Sequence, residues 1–262
     1  MRFLDSAEGE MAAVVHPPRI VQEFQAARRS PDLAVLVGFH AVKHALRFGA
    51  SLEALVGTGA AELKQLAAVL APDLQDRLAA ELQIVSPEVL SLLLPQAPST
   101  GVIGIARRPE VDVTEMLFDP TPRPIILLEN PRNLQNMGAC VRVAAAGDAG
   151  GVLTTGTQDP WHADALRGGA GLHFALPVSR IEPVRFGDRP LVAVDPQGEP
   201  FDPTRMPPRA VLAFGSERHG LSGELLSQAQ DRVAIPMRPG VSSLNLATSV
   251  AAILFAWRLN AV

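Results

Sequence analysis

The sequence holds one cysteine, Cys140, among 262 residues. That excludes a disulfide framework and a multi-cysteine zinc site, and it points to a reducing compartment. Lysine is almost as scarce: neither Lys43 nor Lys64 follows a glycine, so the Gly-Lys pair of a phosphate-cradling P-loop is missing. No G-x-G-x-x-G follows an apolar run and no G-x-S-x-G occurs. Those absences remove the ordinary dinucleotide fold, the glycine-rich loop of Rossmann-type methyltransferases and the hydrolase nucleophile elbow. Long apolar runs are lacking too. The longest, Leu244 to Trp257, is interrupted by Asn245, Thr248 and Ser249 and is too short to span a bilayer. The opening MRFLDSAEGEMAAVV is acidic and has no signal-peptide pattern, so a cytoplasmic protein without membrane contact is expected.

Positive charge is not in excess either, since the formal net charge is −4. A partner held by bulk basicity is excluded, and any nucleic acid needs a local cationic groove. The halves differ: residues 1–119 hold 10 Lys+Arg against 15 Asp+Glu, and residues 120–262 hold 13 against 12, all 13 being Arg. His40 and His44 stand four apart on one expected helix but lack a carboxylate partner, and His162, His173 and His219 are scattered. No metal is expected.

What is present is a large apolar fraction, 47%, ample for a buried core, in a chain long enough for two domains. Residues 1–18 read as a loose arm and 19–108 as a small α/β domain, in which helices such as FHAVKHALRFG alternate with strands such as LAVLVG. The Pro- and acid-rich stretch 109–122 reads as a linker. From 123 to 262 the apolar runs PIILLE, GVLTTG, PLVAVD, AVLAFGS and RVAIPM alternate with helices. Such runs suit a parallel sheet covered on both faces. The expected helices there are Asn136 to Ala149, Asp159 to Gly169, Leu221 to Gln230 and Ser242 to Asn260.

Three segments gather polar residues and glycines at the carboxyl ends of these strands, where open α/β sheets bind ligands. In ENPRNLQNMGACVRVAAA, Asn136 stands at a helix start as a candidate cap, and Arg142 is four residues from Gly138 on the same face. Helical side chains lean toward the N-terminus, so Arg142 is expected to reach over the space left by Gly138 toward strand PIILLE. A capped helix with a solvated arginine reads equally well from this segment alone. VLAFGSERHGLS places Glu217 just after Gly215, a pattern that alone is an ordinary strand-to-helix turn. In VAIPMRPGVSSLNLATSV, Ser242, Ser243 and Asn245 crowd a helix start, as caps or as ligand groups. The last helix carries two apolar stripes, Leu244, Ala247, Ala251, Leu254 and Leu246, Val250, Ile253, Trp257. One stripe suffices to pack on a sheet, so the second implies another buried face, against either the N-terminal domain or a partner subunit, with a homodimer favoured.

Together and in order, N-M-G-A-C-V-R, F-G-S-E-R-H-G-L and I-P-M-R-P-G-V-S-S-L-N resemble the three motifs of the SpoU (TrmH) family across residues 124–260. These are S-adenosylmethionine-dependent RNA ribose 2′-O-methyltransferases of the SPOUT class. The first half, around LVGFHAVKHALRFGA and STGVIGIARR, more loosely resembles the ribosomal-protein-like substrate-binding domain of many members. The resemblance implies a trefoil-knotted α/β domain, an exception to the rule that chains do not thread their loops. It implies S-adenosylmethionine as cofactor, RNA as partner (ribosomal RNA favoured, transfer RNA possible) and a homodimer with active sites at the subunit border. The matching positions make Asn136, Arg142, Glu217, Ser243 and Asn245 the expected catalytic set. Gly215, Ile235 and Leu244 are expected to hold the cofactor through backbone groups, with Thr154 and Thr155 at its rim. In the family the arginine is often assigned as general base; a guanidinium resists deprotonation. Arg142 is therefore expected to clamp the adjacent phosphate and polarise the hydroxyl. A non-catalytic RNA-binding protein on the same fold is the alternative.

Overall fold

The segments Ile125–Leu128 (β5), Gly151–Thr154 (β6) and Val211–Phe214 (β9) are buried at every residue, as strands covered on both faces must be. A computed structural model describes residues 18–94, 98–182 and 186–260; the expected arm 1–18 falls outside it but for its last residue. In the first half the elements run Arg19–Ala27 (α1), Leu33–Val37 (β1), Phe39–Arg47 (α2), Leu52–Gly57 (β2), Ala60–Leu70 (α3), Gln75–Glu81 (α4), Leu82–Ile84 (β3), Pro87–Leu93 (α5) and Val102–Arg107 (β4). Their four strands make a mixed sheet in the order β1-β4-β2-β3, with β4 antiparallel to both neighbours.

After Val113–Phe118 (α6) the second half adds, around the three strands above, Leu134–Ala146 (α7), Ala163–Gly168 (α8), Val178–Arg180 (β7), Leu191–Pro200 (β8), Gly223–Gln228 (α9), Asp231–Ala234 (β10) and Leu246–Asn260 (α10). Its six strands are parallel at every pairing, in the order β10-β8-β9-β5-β6-β7. The chain builds β5, β6 and β7 outward in one direction. It then crosses back to lay β8, and β9 slots between β8 and β5. Direction therefore reverses at β5, and ligands of open α/β sheets collect outside the carboxyl ends near such a switch. One apolar core runs through both halves and includes Leu36, Phe39, Ile126, Val141 and Leu212.

The helix starts differ from expectation because capping side chains sit elsewhere. Asn133, not Asn136, caps α7: its side chain accepts from the Asn136 N–H at 3.0 Å. The last helix begins at Leu246 rather than Ser242, because Asn245 accepts from the N–H groups of Ala247 and Thr248 at 2.9 and 3.4 Å. That leaves Ser243 and Leu244 in the preceding loop. Ser222 caps α9 and His162 caps α8, so both helices are shorter than their apolar patterns suggested. The stretch read as a linker contains α6, capped by Asp112 through the N–H groups of Thr114 and Glu115. Of the two stripes on α10, Leu246, Val250, Ile253, Leu254 and Trp257 are buried, while Ala247 and Ala251 are half-buried and Leu244 is exposed. Among the described residues no helix is long and apolar enough to cross a membrane, and none group into a cluster that could hold a metal ion.

His173 is fully buried, its ring 5.4 Å from that of Trp161, and burial pushes its pKa down to about 3. Folded, it stays neutral; unfolded, it protonates near the ordinary value of about 6.5. Its contribution is thus complete above that value and is lost as pH falls toward the folded one. Between pH 6.5 and 5 the loss amounts to about 2 kcal/mol, one proton at about 1.4 kcal/mol per unit. Urea unfolding at pH 7 and pH 5 is expected to show this loss in the wild type and a flatter dependence in His173→Gln. Equal slopes would remove His173 as the cause.

Candidate active site

Gly215 follows β9, and a Cβ built on it would lie 2.0 Å from the carbonyl carbon of Gly220 and 2.2 Å from the nitrogen of Leu221. Only the missing side chain lets segment 215–221 fold back on itself, closed by the Gly220 N–H donating to Ser216 O at 2.9 Å. The fold-back forms one wall of a cavity of about 480 Å³, within the usual range for small-molecule sites. A second wall is Ile235 and Met237, just beyond β10, and a third is Ser243 to Leu246 at the start of α10.

The fourth wall, Val194, Asp195 and Pro196, was not foreseen from sequence. β10 pairs first with Val192 and Ala193 and then, after a register shift, with Glu199 and Pro200, which throws residues 194–198 out of the ladder. Asp195 is then pinned by Arg232, whose Nε donates to its carboxylate at 3.0 Å. No local signal marks this wall, because it depends on β8 lying beside both β9 and β10.

Glu217, Asn136 and Asn245, separated in sequence by up to 109 residues, are joined by hydrogen bonds. Asn245 uses its side-chain oxygen as the helix cap, so its amide must donate. It does so to Asn136 Oδ1 at 3.1 Å, and Asn136 Nδ2 then donates to Glu217 Oε1 at 2.8 Å. The polarity of the chain is set by chemistry at both ends, a backbone donor at one and a carboxylate acceptor at the other. Of the expected residues, Gly215, Glu217, Ile235, Ser243, Leu244 and Asn245 line the cavity, and Asn136 bonds to two of them. The charged groups in its wall are Asp195 and Glu217; no basic residue lines it.

Three expectations are corrected. The space at Gly138 is not empty: a Cβ there would lie 1.9 Å from Ala165 O, because α8 packs backbone-close against α7. Arg142 accordingly does not reach the strand edge in its own chain. It lines a different cavity, with His40, His44 and Arg167. Thr154 and Thr155 are not at the rim of the 480 Å³ cavity. Thr154 is fully buried in β6, and Thr155 Oγ1 accepts from the Asn130 N–H at 3.0 Å. β6 lies on the far side of β5 from β9, so its carboxyl end opens onto another part of the sheet edge.

A parallel sheet with a reversed strand order, bearing at its carboxyl edge a cavity of loop backbone free of basic groups, defines an α/β ligand-binding class without a phosphate loop. The chain belongs to the SpoU rRNA methylase family, whose model matches residues 123–255. It is 30% identical over 181 residues to the 23S rRNA (adenosine(1067)-2′-O)-methyltransferase of Streptomyces laurentii, spanning 64% of this chain and 65% of that enzyme's length. An uncharacterized tRNA/rRNA methyltransferase of Synechocystis is 30% identical over 198 residues, 70% of each chain. The fold is similar to that of the SpoU methyltransferase AviRb from Streptomyces viridochromogenes, crystallised with AdoMet. That similarity has a TM-score of 0.75 at 22% identity and covers 93% of this chain and 98% of AviRb, so it extends over both halves.

Proposed function

We propose that the protein is an S-adenosylmethionine-dependent methyltransferase acting on a ribose 2′-hydroxyl of structured RNA, with ribosomal RNA preferred to transfer RNA. The observation that carries this reading is the Asn245–Asn136–Glu217 chain closing over a loop-built cavity at the sheet edge. The donor set fits the cofactor. Ile235, Leu244 and Leu246 offer apolar surface to an adenine ring, and loop backbone offers donors and acceptors to its polar edges. A wall that carries Glu217, with Asp195 already paired to Arg232, and that holds no Lys or Arg of its own suits a cationic sulfonium. The preference for ribosomal RNA follows the family's description and the activity named for the Streptomyces laurentii relative.

When bound, the cofactor supplies a methyl group on cationic sulfur. The residues of the chain must then orient a ribose oxygen toward it and stabilise the charge that develops there. Asn136 and Asn245 hold the loops in register, and Glu217 is positioned through Asn136. Arg142 clamps the phosphate beside the target sugar and polarises the hydroxyl, whose proton passes to that phosphate or to water as the methyl moves to oxygen. Because Arg142 lies outside the cavity of its own chain, the site is completed by a second copy, and the protein works as a homodimer. Exposed Val241 and Leu244, with the half-buried Ala247 and Ala251 on α10, provide apolar surface for that contact.

The trefoil knot belongs to the same reading, supported by the packing of α10 against both α7 and the Pro203–Arg205 turn between β8 and β9. So do the division into a substrate-binding domain at 19–108 and a methyltransferase domain at 123–262, and cytoplasmic residence. Calorimetry with S-adenosylmethionine is expected to show binding to the wild type, and no binding would end the reading. Arg142→Lys is expected to bind the cofactor as the wild type does and to lose about a hundredfold in single-turnover methylation, since an ammonium cannot make the two-pronged grip. Near-full turnover would refute the clamp.

A further inference from the structure

The chain is net acidic, yet the cavity that holds Arg142 has no Asp or Glu in its wall. It lies on the seam where α2 meets α7 and α8, measures about 640 Å³, and presents His40, His44, Ser99, Thr100, Arg142 and Arg167. A cleft lined by one sign of charge between low-dielectric walls focuses the field and concentrates ions of the opposite sign. Among the described residues Arg142 is exposed and makes no hydrogen bond or ion pair. Arg167 gives one N–H to Asp164 at 2.8 Å, an exposed pair whose carboxylate stays outside the cavity. The two guanidiniums therefore stay available for an anion.

The seam is fixed in advance. His44 Nδ1–H donates to Ala170 O at 2.7 Å, and Gly171, with φ +75°, lies where a Cβ would be 2.4 Å from Ala41 O. The Phe39 N–H donates to Thr100 Oγ1 at 3.0 Å, which pins the turn 98–100 to α2. Elsewhere along the seam Arg108 pairs with Asp159 at 2.9 Å. A site whose walls are set before the ligand arrives loses little ordering entropy on binding.

We infer that this seam is a phosphodiester-binding site that grips the RNA backbone with both halves of the chain at once. Arg142 and Arg167 come from the parallel-sheet half, and His40 with the hydroxyls of Ser99 and Thr100 from the mixed-sheet half. Guanidiniums meet phosphate oxygens in two-pronged fashion, and hydroxyls donate to the remaining oxygens. Desolvation, with the nearby charges of Lys43 and Arg142, holds the His40 pKa below its ordinary value. His40 thus acts near neutral pH as an uncharged N–H donor. The same helix α7 then serves two opposite chemistries: Asn136 closes a cavity whose charged groups are acidic, and Arg142, further along, faces one whose charged groups are basic. The inference rests on the methyltransferase reading only for the anion being part of an RNA strand.

The test measures binding of a fluorescein-labelled oligouridylate over a salt series, beside cofactor calorimetry, for the wild type, Arg167→Gln and Ser99→Asp. Ser99 is an exposed turn residue, so Ser99→Asp puts a carboxylate into the acid-free wall without disturbing the fold. Both variants are expected to weaken RNA binding about tenfold with cofactor affinity unchanged. The salt slope of Arg167→Gln falls by about 0.7, the change expected when one phosphate of a single strand is no longer neutralised. Inorganic phosphate at matched ionic strength is expected to compete no better than chloride, which assigns the site to the polymer; strong competition would assign it to free phosphate and overturn the inference. RNA binding by both variants at wild-type strength would also overturn it, as would no RNA binding by a wild type that binds the cofactor. RNA binding that falls in both variants of a protein blind to the cofactor would uphold the seam and refute the methyltransferase.

Discussion

Gly215→Ala is expected to weaken S-adenosylmethionine binding about a hundredfold, which corresponds to about 2.7 kcal/mol, while the protein remains folded. Gly215 has no left-handed φ, so the cause is purely steric. The added methyl would meet backbone, Gly220 C at 2.0 Å, Leu221 N at 2.2 Å and Gly220 O at 2.3 Å, none of which can yield by a side-chain rotation. The only relief is to move segment 216–221, and that segment is the wall carrying Ser216 and Glu217. Overpacking of this kind costs about 1–3 kcal/mol of stability. Calorimetry and thermal unfolding on the same sample separate the two effects. An alanine variant with wild-type cofactor affinity would show that this fold-back does not shape the site.

Arg189→Met is expected to destabilise the protein by about 3 kcal/mol or more, a larger loss of stability than any other substitution considered. Arg189 is buried, and its guanidinium donates only to backbone carbonyls: Leu117 from Nε at 2.7 Å, Arg123 and Arg209 from Nη1 at 2.9 and 3.2 Å, and Met116 and Asp119 from Nη2 at 3.2 and 3.0 Å. All five N–H groups of the fork are used. Three of these carbonyls, those of Met116, Leu117 and Asp119, belong to the stretch 109–122 that reads as a linker in sequence, and that of Arg123 follows it directly. The arginine folds that stretch against the parallel sheet and satisfies its buried carbonyls, sharing those of Leu117 and Asp119 with Arg209. Arg189→Lys is expected to recover only part of the loss, because an ammonium offers three donors and no planar fork. Urea denaturation of the three proteins is the measurement, and a methionine variant within about 0.5 kcal/mol of the wild type would show that water replaces the guanidinium without cost.

Part of the site could be read from the sequence. Glu217 just after Gly215 reads alone as an ordinary turn, and it was the resemblance of the three polar segments taken together that implied a pocket built from loop backbone. Asn245 acts as the cap its residue type suggested, and in that role it directs its amide to Asn136. Other parts were illegible for identifiable reasons. Asn133 and Asn136 are both plausible caps, and only the path of the chain entering α7 selects the first. Arg189 stands in an ordinary Gly-Asp-Arg-Pro sequence, with nothing near it to announce five distant carbonyls.

Residue chemistry and periodicity along the chain pointed to apolar strands for a parallel sheet and to three polar loops at their carboxyl ends, and the resemblance of those loops to three known motifs implied the family. Tertiary structure alone decided which of those ends face a common space. β9 inserts between β8 and β5, so Asp195 enters the cavity and Thr154 is shut out of it, and α8 packs so closely on Gly138 that Arg142 turns to the seam with α2. The reason is physical: a strand's form follows from its own side chains, whereas its neighbours are chosen by the burial of surfaces far apart in sequence, which no local pattern encodes.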